Sequence, residues 1–372
     1  MEYILILLQH NSPSFCYYNN SSSEVNSDNI MSLENFRSAI QFANKNNLKI
    51  TILHGTQGMT EPYLLILEGL EYSVITPAGC TKTYDNQIYI VDYEGNDEVF
   101  YEIPSASFQN IILRLESIYF SDLVEIIQKH LIRFKRINLF IKDIETLSSN
   151  KLSEYREVLQ TIAEITYENI ILSTNSELNF LTDRMFLDKM NNCDAGIKHI
   201  TIAPNGMFYL CPGFYYDDDQ KSVGSSETGI EIKGNNLLRL ENAPICNICD
   251  ALHCKRCIYL NKKMTFELNT PSHEQCVLSH FERNETKRLV DNLRMFARFS
   301  HIPHIPHIGY LDPFEIVKSN PAIRNGWQMI DKKISKDIGS LSEKELLNMI
   351  TDIQIELQSR SGELIPNGLE KQ

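Results

Sequence analysis

The feature that most constrains this chain is a dense run of cysteines. Four of them fall within twelve residues, at Cys246, Cys249, Cys254 and Cys257. They form two Cys-x-x-Cys pairs, and a tight turn in such a pair directs two sulfurs towards one point. Three more cysteines flank the run, at Cys193, Cys211 and Cys276. Soft thiolate ligands select zinc, copper(I) or an iron–sulfur cluster, so the segment is predicted to bind metal through at least four of these residues.

Composition indicates an ordinary globular protein. The 372 residues, 42% apolar and 22% charged, suffice for two or three domains with cores of their own. The net charge of −13 argues against nucleic acid as the main partner, because neutralising phosphates requires clustered Lys and Arg. The apolar start lacks a basic leader, and no apolar run is long enough to span a bilayer. We expect a cytoplasmic protein without a membrane partner, where clustered thiols indicate metal more often than disulfides.

The first half of the chain alternates between strand and helix patterns. Tyr3 to Leu8 is a continuous apolar run typical of a strand that is buried on both faces. Strands are also predicted at 48–53, 72–76, 88–91, 111–115, 137–141 and 170–172, and helices at 63–70 and following Ser32, Ser121 and Ser153. Such alternation predicts an α/β fold with a parallel sheet or partial barrel, and a site at the carboxyl ends of its strands.

Two loops lie where that site is expected. The loop after the first strand contains Cys16, which a lowered pKa would make a candidate nucleophile. The loop after the second strand contains Gly55 and Gly58, which would let a ligand approach the backbone. Neither loop carries a complete phosphate or dinucleotide fingerprint, so ordinary surface connections remain the alternative for both.

The cysteine-rich segment begins with a predicted β-hairpin. Apolar residues on either side of Pro204-Asn205-Gly206 indicate two strands and a turn. This hairpin would bring Cys193 and Cys211 together at its open end. Further along, 301–307 repeats His-Ile-Pro with the period of polyproline II, and Ser342 with Glu345 predicts a capped final helix.

The cysteine spacing resembles the SPASM domain, which follows the catalytic barrel of many peptide-modifying radical SAM enzymes. The matching pattern is Cys193-x12-Gly206-x4-Cys211, a gap, and Cys246-x2-Cys249-x4-Cys254-x2-Cys257-x18-Cys276. The resemblance implies one [4Fe-4S] cluster held by Cys246, Cys249, Cys254 and Cys276. It implies a second held by Cys193, Cys211 and Cys257, usually with another Cys upstream of Cys193 that this chain lacks. This second site would therefore be three-coordinate, or be completed by Asp, His or a ligand such as a substrate thiolate.

The same resemblance makes the first half similar to a radical SAM barrel whose motif is degenerate. Those enzymes carry Cys-x3-Cys-x2-Cys after the first strand, and the matching positions here are Ser12, Cys16 and Asn19. One cysteine cannot hold the cluster that cleaves S-adenosylmethionine, so we do not expect that cofactor or that reaction. The Gly-Gly-Glu-Pro element corresponds, in degraded form, to Gly58-Met-Thr-Glu61-Pro62.

The overall layout resembles the CXXX repeat peptide maturases, which also share Tyr310-Leu-Asp-Pro-Phe314. The resemblance implies three parts: a degenerate radical-SAM-like (β/α) barrel at 1–185, a SPASM-like cysteine-rich domain at 186–300, and a linker with a helical tail at 301–372. It also implies maturation of a ribosomally synthesised, Cys-rich peptide, through binding of the precursor or of a partner enzyme. An iron–sulfur electron-transfer or thiol-modifying enzyme is one alternative.

A structural zinc or iron–sulfur protein is the other alternative. On the residues alone, zinc competes evenly with iron–sulfur, because His253, His273 or His280 could complete a Cys3His site. Ordinary zinc sites separate their two Cys pairs by a longer spacer, and the SPASM resemblance favours clusters.

Overall fold

A computed structural model describes residues 1–19, 30–104, 109–172, 176–217 and 221–306. Within these residues the strands are β1 (Tyr3–Leu7), β2 (Lys49–Leu53), β3 (Tyr72–Pro77), β4 (Gln87–Asp92), β5 (Gln109–Leu115), β6 (Phe134–Ile141), β7 (Glu177–Leu178), β8 (His199–Ile202), β9 (Met207–Tyr209), β10 (Gly224–Ser225) and β11 (Gly229–Ile230). The helices are α1 (Leu33–Lys45), α2 (Glu61–Leu67), α3 (Glu98–Tyr101), α4 (Phe120–His130), α5 (Ser149–Ile171), α6 (Asp183–Phe186), α7 (Pro212–Tyr216), α8 (Ile258–Thr265) and α9 (His273–Leu293).

The strands form one sheet in the order β11-β10-β9-β8-β1-β2-β3-β4-β5-β6-β7. From β8 to β7 all neighbours pair in parallel, and β8 to β11 pair as antiparallel hairpins. In the described residues the two end strands, β11 and β7, do not pair, so the barrel is partial, as predicted. No helix in these ranges combines the length and apolar character needed to cross a bilayer.

Strand β1 lies inside the sheet, between β8 and β2, and the residues from Ile4 to Leu7 are buried on both of its faces. Ile4, Ile6 and Leu8 pack into an apolar cluster beneath α1, together with Phe36 and Phe208. Ser32 caps α1 as predicted, and its hydroxyl accepts a hydrogen bond from the backbone N–H of Asn35 at 3.1 Å. The alternation of strand and helix in the first half is therefore confirmed.

Three predicted boundaries in the first half are wrong. Ser121 does not cap α4, which begins one residue earlier as a continuation of a short 3-10 turn. Ser153 lies inside α5, which is capped by Ser148 and so starts a turn earlier than predicted. The run 170–172 is not a strand but the end of α5, because a short apolar run fits either period and the helical period continues into it.

The cysteine-rich segment begins inside the same sheet. The predicted hairpin is confirmed as β8 and β9, and Gly206 in its turn has a φ of +77°, which glycine adopts without strain. β8 pairs in parallel with β1, from Tyr3 opposite His199 to Ile6 opposite Ile202. The pairing crosses the predicted boundary between residues 185 and 186, and the described residues all lie within one compact unit, Met1–Tyr310. The division into domains stays a prediction.

The long helix α9 packs against α5 and α6. Leu289, Val290 and Leu293 form an apolar cluster with Ile302 and Ile305, which come from the predicted His-Ile-Pro linker. The linker thus packs on the protein body up to residue 306. His307, the motif at 310–314 and the predicted final helix at 342–357 lie outside the described residues.

The pairing of β1 with β8 buries His199, and the titration of this histidine tests the pairing. His199 stacks on Tyr3 with ring centroids 4.7 Å apart, and among the described residues its Nδ1 has no hydrogen-bond partner. Burial lowers the pKa of His199 to about 4. Between pH 6.5 and 4 the unfolded chain therefore binds a proton that the folded protein does not, and the free energy of unfolding falls as the pH falls.

We expect His199→Phe, which keeps a stacked ring, to remove this pH dependence. Between pH 7 and pH 4 the wild type should lose on the order of 3 kcal/mol more unfolding free energy than the variant. Urea unfolding at several pH values measures the difference. His304→Gln, at an exposed histidine, is the control and should follow the wild type. Equal pH slopes for wild type and His199→Phe would contradict the prediction.

Candidate cluster sites

The seven cysteines of the predicted pattern fall into two spatial groups. The first thiol group consists of Cys246, Cys249, Cys254 and Cys276. Burial raises the pKa of Cys246 to about 12, and the neighbouring Cys254 and Cys249 add to the shift. The pKa of Cys276 is raised by burial and then by Cys254, Cys246 and Cys249. A cysteine on α9 therefore lies near three from the double Cys-x-x-Cys run, which is the set that the SPASM resemblance implies for one cluster.

The second thiol group consists of Cys193, Cys211 and Cys257. Burial raises the pKa of Cys211, and Cys257 and Cys193 raise it further as charged neighbours. Burial also raises the pKa of Cys193 to about 12, with Cys257 the next cause. The hairpin brings Cys193 and Cys211 together as expected, and the last thiol of the run joins them. All nine cysteines of the chain are free thiols.

Several of these thiols are placed at the beginnings of helices. Cys211 is the N-cap of α7 and Cys257 is the N-cap of α8, while Cys276 lies in the first turn of α9. Burial raises the pKa of Cys211, and Cys16 and then burial raise the pKa of Cys257, while the backbone N–H groups that follow each cysteine lower both values. Unpaired N–H groups and the positive end of a helix stabilise a thiolate, which is the metal-binding form.

Arg256 lies between the two groups and was not predicted from the sequence. It is almost fully buried, and its Nε donates to Asn192 Oδ1 at 3.1 Å, next to Cys193. The backbone N–H of Arg256 donates to Cys254 Sγ at 3.4 Å, and the positive charge of its guanidinium lowers the pKa of Cys246. A buried cation thus lies close to the first group and bonds to the residue that precedes Cys193 of the second. A lone Arg between two cysteines of a metal-binding run was the only sequence indication of this role.

The histidines proposed as alternative ligands have different surroundings. His253 Nε2 lies 2.9 Å from Glu282 Oε2, and Tyr155 donates to the other oxygen of that carboxylate at 2.7 Å. His273 Nδ1 lies 3.6 Å from Glu274 Oε1. His280 Nε2 lies 3.6 Å from Cys249 Sγ, so among the three it is this histidine that contacts a thiol of the first group.

The three positions that correspond to the radical SAM motif face different partners. These positions lie in the β1 loop, which we define as residues 8–19. Ser12 is fully buried and its hydroxyl donates to the Leu53 carbonyl at 3.5 Å. The Asn19 side-chain oxygen accepts from Arg114 at 2.9 Å. Cys16 lies beside Cys257 and is the largest cause of the raised pKa of that thiol. The sequence singled out Cys16 as a candidate nucleophile, and the structure places it against the second thiol group.

Arg114 on β5 holds the β1 loop in place. Besides Asn19, its guanidinium donates to the carbonyls of Cys16 and Tyr18, each at 3.2 Å, and pairs with Asp92 at 3.0 Å. Sequence reasoning missed this residue. A single cation in the otherwise apolar end of β5 was the available indication, because an Arg in a buried strand must have partners for its donors.

The loop that corresponds to Gly-Gly-Glu-Pro is covered by the protein's own side chains. Gly58 has a φ of +69°, and a Cβ there would meet Lys82 and Tyr84 at less than 3.0 Å. The Met59 N–H donates to the Tyr84 hydroxyl at 2.8 Å, and the Lys82 ammonium donates to the Met59 carbonyl at 2.5 Å. The glycine is therefore needed for the close approach of these two side chains.

An open cavity of about 620 Å³ lies beside the second thiol group. Asn191, two residues before Cys193, belongs to its lining, as does Glu177 of the end strand β7. Arg136 pairs there with Glu177 at 2.7 Å and with Asp183 at 2.6 Å. The apolar part of the lining is formed by Ile170, Met185, Phe186, Leu187, Phe299 and Ile302.

The donor chemistry of both groups fits iron–sulfur clusters. Across the described ranges, no three His, Cys, Asp or Glu side chains converge tightly enough to hold a single ion. A [4Fe-4S] cluster binds each thiolate through a different iron atom, so its ligands surround it instead of meeting at one point. Four thiols in the first group supply a full cluster ligand set.

Solved structures match this fold. A structure of anSMEcpe with bound AdoMet has a TM-score of 0.55 and 13% identity, over 78% of this chain and 98% of that chain. A structure of anSMEcpe with bound AdoMet and the Cp18Cys peptide has a TM-score of 0.55 and 12% identity, over 78% of this chain and 99% of that chain. Neither a protein-family model nor a curated protein matches the sequence. The chain therefore has the fold of these structures, and the predicted α/β fold with a parallel sheet and a partial barrel is confirmed.

Two separate thiol groups should hold two separate clusters, so removing a ligand from one group should release the iron of that cluster alone. After anaerobic reconstitution, Cys246→Ala and Cys257→Ala should each lose about half of the iron and sulfide, because each removes a ligand of a different cluster. Metal and sulfide analysis with visible absorption measures the loss, and the double variant should lose nearly all of both. Equal losses in the single and double variants would indicate one shared site. A colourless protein with stoichiometric zinc would contradict the cluster hypothesis.

Proposed function

We propose that this chain acts in the maturation of a ribosomally synthesised, Cys-rich peptide, as a cluster-binding protein of the radical SAM/SPASM fold whose own SAM motif is degenerate. The observation that carries the proposal is the combination of two thiol groups with a β1 loop that has one cysteine where the motif has three. Ser12 and Asn19 each bond to the protein itself, which supports a scaffolding role for this loop.

The thiols would hold the clusters in the way that the resemblance implies. Cys246, Cys249, Cys254 and Cys276 would bind one, and Cys193, Cys211 and Cys257 would contribute to the other. When bound, such clusters supply one-electron chemistry and rigid cross-links between chain segments. The residues of this chain prepare the ligands, because helix N-terminal N–H groups and Arg256 favour thiolates that burial alone would disfavour.

The cavity beside the second thiol group is the place where we expect a peptide to bind. Its lining combines exposed apolar side chains, above all Phe186, with the paired charges of Arg136, Glu177 and Asp183. β7 is the last strand of the sheet in the described residues, and an end strand pairs readily with an extended peptide. In the matching anSMEcpe structure a Cp18Cys peptide is bound, and this supports a peptide as the partner.

Loss of an apolar anchor in the cavity should weaken peptide binding. We expect Phe186→Ala to raise the Kd of a fluorescent Cys-repeat peptide about tenfold, as is typical for an aromatic anchor at an interface. Fluorescence anisotropy under anaerobic conditions measures the affinity. Tyr101→Ala is the matched control, because Tyr101 is a similarly exposed aromatic residue outside this lining. If wild type does not bind the peptide, or if both variants bind it equally well, the proposed peptide site in this cavity is wrong.

Reconstitution distinguishes the proposed function from its alternatives. A precursor peptide should gain its modification, detected by mass spectrometry, only when this chain and a catalytic partner enzyme are both present. Modification by this chain alone would instead indicate an enzyme that uses its clusters or Cys16. Modification without this chain would leave only a structural role.

A further inference from the structure

The second thiol group has three cysteines where the first has four, and the structure places one more thiol beside it. Cys16, in the β1 loop, lies beside Cys257 and is the largest cause of the raised pKa of that thiol. The two residues are far apart in sequence and meet because β8, which leads into the cysteine-rich segment, pairs with β1. The contact therefore follows from the topology of the sheet.

We infer that Cys16 is the fourth protein ligand of the second cluster, so that the β1 loop and the cysteine-rich segment hold this cluster jointly. The inference rests on the proposed cluster binding by Cys193, Cys211 and Cys257. The cysteine pattern left the fourth ligand open, as Asp, His or a substrate thiolate, and the inference identifies it as Cys16. On binding iron, Cys16 gives up its thiol proton and contributes the same thiolate donor as the other three.

The surroundings of two tyrosines place Cys16 near the other members of the second group. Burial raises the pKa of Tyr3, and Cys193 and Cys16 are both near enough to raise it further; burial likewise raises the pKa of Tyr18, and Cys16 and Cys211 add to that shift. Since Cys16 also lies beside Cys257, it is close to all three thiols. The other cysteine outside the pattern, Cys80, bonds instead to the Lys82 carbonyl at 3.8 Å.

The β1 loop is fixed firmly enough to present a ligand. Arg114 donates to the carbonyl of Cys16 itself and to the carbonyl of Tyr18, so the backbone at Cys16 and just after it is held. This arrangement leaves the Cys16 side chain facing Cys257. A ligand whose backbone is held before metal binds loses less conformational entropy on binding.

The β1 loop is also joined to the helix that follows Cys211. The Tyr216 hydroxyl donates to the His10 carbonyl at 2.7 Å, and the Tyr215 hydroxyl lies 2.8 Å from His10 Nδ1. The rings of Tyr18 and Tyr216 stack with centroids 5.7 Å apart. Two ligands from distant segments, Cys16 and Cys211, are therefore attached to one aromatic cluster that fixes their separation.

The test compares Cys16→Ala with Cys193→Ala, and uses Cys80→Ala as the matched control at a buried thiol outside both groups. The full chain is reconstituted anaerobically with iron and sulfide and desalted. We expect about eight irons per chain in wild type and in Cys80→Ala, four for each cluster. Cys193→Ala and Cys16→Ala should each retain about half, or show the EPR signal of an oxidised three-iron cluster at the second site.

Two further measurements keep the test decisive. The first cluster serves as an internal control for folding, because its absorption and EPR signal should persist in Cys16→Ala. Addition of a small thiol, 2-mercaptoethanol, should restore the second cluster in Cys16→Ala by filling the vacated ligand position, and it should leave wild type unchanged.

Different outcomes separate failure of this inference from failure of the proposed cluster sites. If Cys193→Ala loses the second cluster while Cys16→Ala keeps its iron, sulfide and EPR spectrum, then Cys16 is not a ligand and the two-cluster proposal stands. If wild type holds about four irons and neither variant loses any, the second site does not exist, and both proposals fall.

Discussion

The parallel pairing of β1 with β8 is the interaction on which the rest of this structure depends. It places the start of the cysteine-rich segment beside the first strand of the barrel, in register from Tyr3 to Ile6. The carboxyl ends of both strands then lie at the same edge of the sheet, where the β1 loop and the turn before β9 begin. A cysteine-rich segment tethered elsewhere on the barrel could not bring Cys257 to Cys16.

Burying this many thiols imposes a second constraint. In the absence of metal, burial favours the neutral form and raises the pKa of thiols in both groups, for example that of Cys254 to about 11. The structure opposes this with N–H donors at the starts of α7 and α8 and with the buried guanidinium of Arg256. These groups would offset the negative charge of a bound cluster, whereas in the absence of a cluster they are buried polar groups that cost stability. If the thiols bind clusters, loading and stability are coupled in this segment.

Local patterns were sufficient to predict much of the fold. β1, the Ser32 cap of α1 and the hairpin around Gly206 each follow from a few adjacent residues, and the structure confirms them. The starts of α4 and α5 were wrong because a serine within the first turns looks locally like a cap. The division of the thiols into two groups came from the family resemblance. Arg114 and the contact of Cys16 could not be predicted, since both depend on strands that meet only in the folded sheet.

The three positions that the sequence matched to the radical SAM motif show how the β1 loop is ordered by the protein itself. Ser12 donates to the Leu53 carbonyl on β2 and Asn19 accepts from Arg114, so the loop is fixed at two points by hydrogen bonds. Cys16, between these two residues, lies beside Cys257. A loop ordered in this way needs no metal of its own to keep its conformation. Of the three positions, Cys16 is the one whose side chain could serve the second thiol group.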